Sequence, residues 1–352
     1  MRGLGRRRSP GRRLVSARRV HRVHRVRGAR RAVVLATVLL SIVCLRDVGA
    51  KEQSSDALRG RQLYRNPDSP ARRQADDWQR SRPGDAALMR RIADQPQAVW
   101  LGEWTRDIRG EVDNILSRSS AARAVPVLVA YNIPYRDCGL YSRGGAGGGD
   151  DYRRWILELA RGLRGRSSIV ILEPDAIAGS ECLPARLRDE RYVLIREAVD
   201  VLGKAGASVY VDAGNARWRQ PSEMASRLSG AGIASAAGFA LNVSNYHGTG
   251  VTIAYGDRLS RLVGGKHYVI DTGRNGQGTI AGNQWCNPPG QALGRAPTTN
   301  TGLPLVDAYL WVKTPGESDG TCNGGPRAGK WWPEYALGLS RSAEQIGSLS
   351  QR

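Results

Sequence analysis

The chain has 352 residues, enough for one large domain of barrel size plus flanking segments, and its 41% apolar content and 43 glycines suit a globular protein with many tight turns. A net charge of +21 would by itself point to nucleic acid or another acidic partner. The first 31 residues, with thirteen arginines and no acid, account for +13 of that charge, so the remaining +8 implies no nucleic-acid partner for the body of the chain.

The basic head runs into "AVVLATVLLSIVC", residues 32–44, an apolar run of thirteen residues. About twenty are needed to span a bilayer. With the small-residue end "VGA" at 48–50, residues 1–50 read as a secretory signal peptide cleaved near Ala50, which predicts a secreted protein with no stable membrane partner. An uncleaved anchor, a misplaced start codon and a nucleic-acid arm are the alternatives. Residues 51–62 read as a polar, solvated lead-in. One domain follows over 63–345, with a short tail at 346–352.

Ser69 or Asp68 is the expected N-cap of a first helix that carries Pro70 in its first turn. β-branched runs then alternate with helical patterns. The strand-like runs are 98–102, 125–134, 168–175, 208–214, 238–245, 267–276 and 307–320. "DDYRRWILELARGLRG", capped by Asp150 or Asp151, and "RDERYVLIREAVDVLGKAG", stopped by a glycine, read as helices between them. Continuous apolar strands alternating with helices imply an α/β fold with a parallel sheet buried on both faces, and about seven units imply a distorted seven-stranded β/α barrel of TIM-like kind. An open doubly wound sheet is the alternative, but no G-x-G-x-x-G follows an early strand.

Cys138, Cys182, Cys286 and Cys322 remain after export, with Cys44 in the apolar run. Their even number predicts two disulfides, most simply 138–182 and 286–322, although spacing cannot choose among three connectivities. A zinc site would need close Cys/His pairs, and none is present.

Six of the apolar runs end in polar chemistry: Arg136–Asp137, Glu173 with Asp175, Asp212, Asn242 with Asn245, Asp271 with Arg274 and Asn275, and Lys313 with Glu317 and Asp319. Loops after barrel strands open on one face, so these groups are expected to converge. Each acid alone has a plain alternative: Asp212 as a helix cap, Asp271 in an Asx turn, Asp137 in an ion pair with Arg136. Converged carboxylates suit either a hard metal site or acid/base work on a glycosidic bond. Nine tryptophans against one phenylalanine favour sugar, because indole faces stack on pyranose rings. Trp100, Trp218, Trp285 and Trp311 fall at strand ends, Trp311 having the strongest claim to be core instead.

The segments "VLVAYNIPYRDCG", "VILEPDAIA", "VYVDAGNARW", "FALNVSNYH", "YVIDTGRNGQG", "QWCNPPGQALG" and "DAYLWVKTPGESDG" resemble glycoside hydrolase family six, inverting β-1,4-glucanases that include endoglucanases and cellobiohydrolases, and most of all its actinobacterial cellulases. The resemblance spans about 66–339 and implies a distorted barrel of seven parallel strands. It implies Asp175 as general acid, Asp137 beside it raising its proton affinity and organising water, and Asp319 as a candidate base acting directly or through water. It further implies Asp212 as electrostatic support, Tyr131 crowding the sugar ring at the cleavage point, and Ser142 reaching the water chain. Trp100 and Trp285 would stack sugars on the non-reducing side and Trp218 on the leaving-group side, with Lys313 and Glu317 bonding glucose hydroxyls. Asn242 and Asn245 are further substrate-binding candidates, with turn roles as the alternative. The family's two disulfides would be Cys138–Cys182 and Cys286–Cys322. Two departures stand out: Asn215 where the family usually has His, and the glycine-rich "YSRGGAGGGD", residues 141–150, read as a mobile lid.

The function expected is thus a secreted inverting endo-β-1,4-glucanase acting on β-1,4-glucan or cello-oligosaccharide as a monomer, without metal or cofactor. Short segments within the cysteine pairs favour an open cleft over a cellobiohydrolase tunnel. A catalytically weak glucan-binding protein and a metal-dependent hydrolase or lyase are the competing readings.

Overall fold

The computed structural model describes residues 58–278 and 284–349. The expected export signal and residues 51–57 of the lead-in lie outside them.

Seven parallel strands form one curled sheet in sequence order, as the resemblance implied: β1 (Val99–Leu101), β2 (Val127–Ala130), β3 (Ser168–Leu172), β4 (Ala207–Asp212), β5 (Gly238–Leu241), β6 (His267–Asp271) and β7 (Val306–Leu310). Their side chains alternate between two apolar layers, which is why the sequence runs are continuous rather than alternating. Val127, Val129, Ile169, Ile171, Val269 and Leu310 belong to one cluster with Tyr210 and Ala308, filling the inside of the curl. Leu128, Ala130, Val170, Leu172, Val209, Val211 and Ile270 face the other way, against the surrounding helices.

The register sets the site. Ala130 pairs with Leu172, Leu172 with Val211, Asp212 with Ala240, Leu241 with Ile270 and Asp271 with Leu310. The C-terminal tips of β2 to β7 therefore lie along one rim. β1 and β7 end the sheet without forming a strand ladder. One backbone bond, Ala98 N–H to the Trp311 carbonyl at 3.0 Å, and the Trp100 indole N–H to the Val312 carbonyl at 2.8 Å close the seam between them.

The outer helices follow their sequence signals with small shifts. The first, α1 (Pro70–Trp78), is capped by the Ser69 hydroxyl accepting from Arg72 N–H, with Pro at its start as expected. It packs on α2 (Pro83–Ala93). After α3 (Ile108–Ala121), α4 spans Gly149–Leu163; its N-cap is Gly148, and Asp150 and Asp151 sit inside its first turn, where their charge favours the helix dipole, instead of capping it. The 20-residue α5 (Ala185–Lys204), α6 (Pro221–Gly230) and α7 (Thr249–Leu262) complete the ring. The last helix, α8 (Pro333–Leu349), runs past the expected domain end at 345.

Of the expected polar lead-in, residues 59–62 are exposed, while Leu58 is buried and the Gln62 carbonyl accepts from Val125 N–H at 2.8 Å. Trp311 takes the core alternative. It is buried in a third apolar cluster with Ala71, Met89 and Leu337, its indole N–H donating to the Arg295 carbonyl at 2.9 Å.

Candidate active site

A cavity of about 440 Å³ lies at the strands' N-terminal end, lined by Arg59, residues 299–304, Val306 and Asp307. The acids singled out in the sequence sit at the opposite rim.

At the tip of β3 the chain passes through "EPD" with Glu173 at φ 51° and Asp175 at φ 68°. This unusual pair of left-handed residues around Pro174 sends the two carboxyls to different places. Glu173 turns back under the neighbouring loop, where its oxygens accept the Asn132 and Ile133 backbone N–H groups at 3.0 Å each. Burial pushes its carboxyl up to about 7 against those amides. It is a clamp on the loop after β2, a role that the sequence did not disclose.

Asp175 remains partly exposed. Its backbone N–H donates to Asp212 Oδ2 at 2.9 Å and its carbonyl accepts from Gly179 N–H, and none of the described hydrogen bonds uses its carboxyl. Burial, and then the negative charges of Asp212, Asp137 and Asp319, hold that carboxyl well above the ordinary carboxylate range. Asp212, at the tip of β4, is fully buried; Oδ2 also accepts from Gly214 N–H at 3.0 Å, while Oδ1 has no protein partner. Burial pushes it up to about 7. Asp175 and Asp212 form one titrating unit.

Asp137 follows β2 at φ 56°, and Arg136 does not pair with it. The Arg136 guanidinium bonds Glu103 twice, at 2.5 and 2.9 Å, and lies over the Tyr131 ring at 4.5 Å. Burial raises the Asp137 carboxyl, opposed by the Ser142 backbone N–H at 2.6 Å from Oδ2. Ser142 thus reaches Asp137 through its main chain. The glycine-rich segment is tied down behind it: Ala146 N–H donates to the Asn132 carbonyl at 2.9 Å, and Gly145, at φ +97°, leaves no space for a Cβ, which would come within 2.0 Å of the Ile133 carbonyl. Ahead of it, the Tyr141 ring lies 5.9 Å from Trp285 and against Gly320, where a Cβ would meet it at 2.6 Å. The loops after β2 and β7 therefore touch.

Asp319 sits in the loop after β7 with four donors. Arg274 grips it at 2.9 and 3.0 Å, the Tyr246 hydroxyl donates at 2.7 Å and Asn287 N–H at 3.0 Å. Asn287 returns the contact by accepting Asp319 N–H at 2.8 Å.

The two disulfides are those expected, Cys138–Cys182 and Cys286–Cys322. Each lies beside a site acid: Cys138 follows Asp137, and Cys286 precedes Asn287, whose amide also donates to the Cys322 carbonyl at 3.1 Å. Replacing Cys286 and Cys322 by serine should cost about 2–4 kcal/mol of stability. Calorimetry and kcat measured on the same preparation should show turnover falling at temperatures where the variant is still folded, because Asn287 no longer fixes Asp319.

Aromatic groups flank the acids. Trp100 stands edge-on to Tyr131, centroids 5.1 Å apart, with the Lys313 ammonium 5.6 Å over its ring and Glu317 3.4 Å from that ammonium. Trp218 covers Gly179 and Gly214 on the Asp175–Asp212 side, and Trp285 is 42% exposed. Tyr131 is buried among Asp175, Asp137 and Glu173, which together with burial hold its phenol far above its usual range. Asn242 is a correction: fully buried, it donates to the Asp271 and His247 carbonyls and accepts from His247 N–H, so it joins β5 to β6 and has nothing left for substrate. Asn245 is half-buried and bonds the Val243 carbonyl within its own turn. Asp271 is buried under four backbone N–H groups, from Ser244, Gly273, Val312 and Lys313, a structural knot between three strands. Asn215 turns inward, accepting from Arg217 N–H at 3.0 Å.

Carboxylates of unlike environment, flanked by indoles at the mouth of a parallel barrel, are the equipment of a carbohydrate-cleaving α/β enzyme. Residues 58–343 match the family described as glycosyl hydrolases family 6, and the chain belongs to that family. Endoglucanase A of Cellulomonas fimi is 45% identical over 269 residues; the match covers 76% of this chain and 58% of that protein's length. Endoglucanase 1 of Streptomyces halstedii is 39% identical over 287 residues, 78% of this chain and 87% of that one. The endoglucanase Cel6 of Mycobacterium tuberculosis, solved in complex with methyl-cellobiosyl-4-deoxy-4-thio-β-D-cellobioside, is 45% identical with a TM-score of 0.78, covering 82% of this chain and 99% of that one.

Proposed function

We propose that the chain is an exported, inverting endo-β-1,4-glucanase. The observation that carries this reading is Asp175, a partly exposed carboxyl whose proton is retained by burial and by three nearby acids, at the mouth of a family 6 barrel. Asp175 protonates the leaving glycosidic oxygen as the C–O bond breaks. Water attacks the anomeric carbon from the opposite face and passes its proton to Asp319, with Asp137 and the Ser142 loop ordering the water. Trp100, Trp285, Lys313 and Glu317 bind the non-reducing portion of the chain, and Trp218 the leaving portion. Tyr131, wedged against Trp100, favours a distorted ring at the point of cleavage. The endoglucanase relatives support internal cleavage, and two disulfides support export.

Two readouts on one reaction test this. NMR of cello-oligosaccharide hydrolysis should show the α-anomer first, and carboxymethyl-cellulose viscosity should fall well ahead of reducing-end release. β-anomer formation would overturn inversion. Reducing-end release with nearly constant viscosity would establish a chain-end enzyme instead.

A further inference from the structure

The donors to Asp319 are divided unevenly. Oδ2 accepts three hydrogen bonds, from the Tyr246 hydroxyl at 2.7 Å, Arg274 Nη1 at 3.0 Å and Asn287 N–H at 3.0 Å, whereas Oδ1 accepts one, from Arg274 Nη2 at 2.9 Å. The Tyr246 hydroxyl is in turn 2.8 Å from the hydroxyl of Tyr335 on α8. A phenol has a single proton, and an ionised carboxylate can only accept. Tyr246 therefore spends its proton on Asp319, and Tyr335 must donate to Tyr246. The chain of bonds has one direction: Tyr335 to Tyr246 to Asp319.

The phenols are held for this arrangement. Tyr246 is buried, with the Arg274 guanidinium 4.4 Å over its ring. Tyr335 stacks on Trp332, centroids 5.2 Å apart and nearly parallel. Burial and the charge of Asp319 keep both phenols protonated. The charged and titratable groups facing Asp319 are Arg274 from the loop after β6, Tyr246 from the loop after β5, Tyr335 from α8 and, through its field, Asp175 from β3.

We propose that Tyr246 and Tyr335 are positioning residues, a directional phenol pair that fixes Oδ2 of Asp319 to the scaffold and leaves Oδ1 as the oxygen that receives the proton of the attacking water. The inference rests on the reading of Asp319 as the proton acceptor. In the step itself a water O–H bond breaks, the water oxygen bonds to the anomeric carbon and the proton goes to Oδ1; the phenol protons stay in place. Loss of the Tyr246 hydroxyl should leave Oδ2 with two donors instead of three and loosen the orientation in which Oδ1 is presented.

The test is kcat, KM and thermal stability for wild type, Tyr246→Phe, Tyr335→Phe, the double variant and Asp319→Asn. Tyr246→Phe should lower kcat about ten- to a hundredfold with KM within about twofold, the usual range for a hydrogen bond to a charged group. Tyr335→Phe should lower kcat by less. The double variant should fall short of the product of the two single effects, because the two hydroxyls bond each other. Effects of the two that multiply, or a Tyr246→Phe enzyme that loses thermal stability with kcat in place, would overturn the proposal and leave the tyrosines as packing. If Asp319→Asn is inactive and Tyr246→Phe behaves as wild type, this inference alone fails. If Asp319→Asn keeps wild-type turnover, the reading of Asp319 beneath it fails.

Discussion

Asp175→Asn should lower kcat on carboxymethyl-cellulose by about two to four orders of magnitude, the range for loss of a general acid. The expectation follows from how the rim acids are occupied. Glu173 and Asp271 are buried and bound by backbone amides, and Asp319 is held by four donors. Asp175 has only its backbone engaged, and burial together with the surrounding like charge keeps its proton on. A cellobiosyl fluoride, whose leaving group needs no proton, should be cleaved by the variant with far less loss; an equal loss on both substrates would remove Asp175 from the acid role. Because the acid works protonated, wild-type activity should persist as pH rises past the ordinary carboxylate range and then decline along a limb set by the Asp175–Asp212 unit. Asp212→Asn removes one of the charges that raise Asp175, so that limb should move to lower pH. EDTA should leave wild-type activity unchanged.

Arg274→Met should cost about 3–5 kcal/mol of stability, because it strands a buried carboxylate. Arg274 is 1% exposed and the Asp319 side chain 5%, so water cannot replace the lost partner. The guanidinium also donates to the Ser244 carbonyl at 2.6 Å, so a single side chain links the loops after β5, β6 and β7. Denaturant titration of Arg274→Met, Asp319→Asn and the double variant closes a cycle. Asp319→Asn added to Arg274→Met should recover much of the loss, since the stranded charge goes with it. A near-wild-type Arg274→Met would show that the pair is solvated.

The barrel was legible in the sequence because a strand buried on both faces needs an unbroken apolar run, and "SIVIL" or "HYVID" can hardly serve otherwise. The rim acids were legible for the same reason, as charges placed where such runs stop. What was hidden was each acid's partner. Glu173 and Asp175 are two residues apart and look alike on paper, yet one bonds the backbone of the loop after the preceding strand and the other faces the cleft, a division made by two positive-φ residues that leave no trace in composition. Asn242 looked like a sugar ligand because a buried amide that joins two strands and an exposed one that bonds a hydroxyl have the same sequence signature. Tyr246, Asn287 and Tyr335 went unnoticed as supports of Asp319 because they reach it from separate loops and from a helix 89 residues beyond Tyr246. Leu58 was lost in a charged neighbourhood that its burial overrides.

Tyr135, Asp137, Cys138, Glu173, Asp175 and Ser244 all adopt positive φ along the rim. For such residues the left-handed conformation costs roughly 1–2 kcal/mol each, a cost glycine avoids. Selection for durability alone would drift towards glycine at these corners. Glycine at these corners would relieve the strain but remove three carboxyls and one half of a disulfide, so any attempt to harden the protein is directed towards the outer helices instead of the rim.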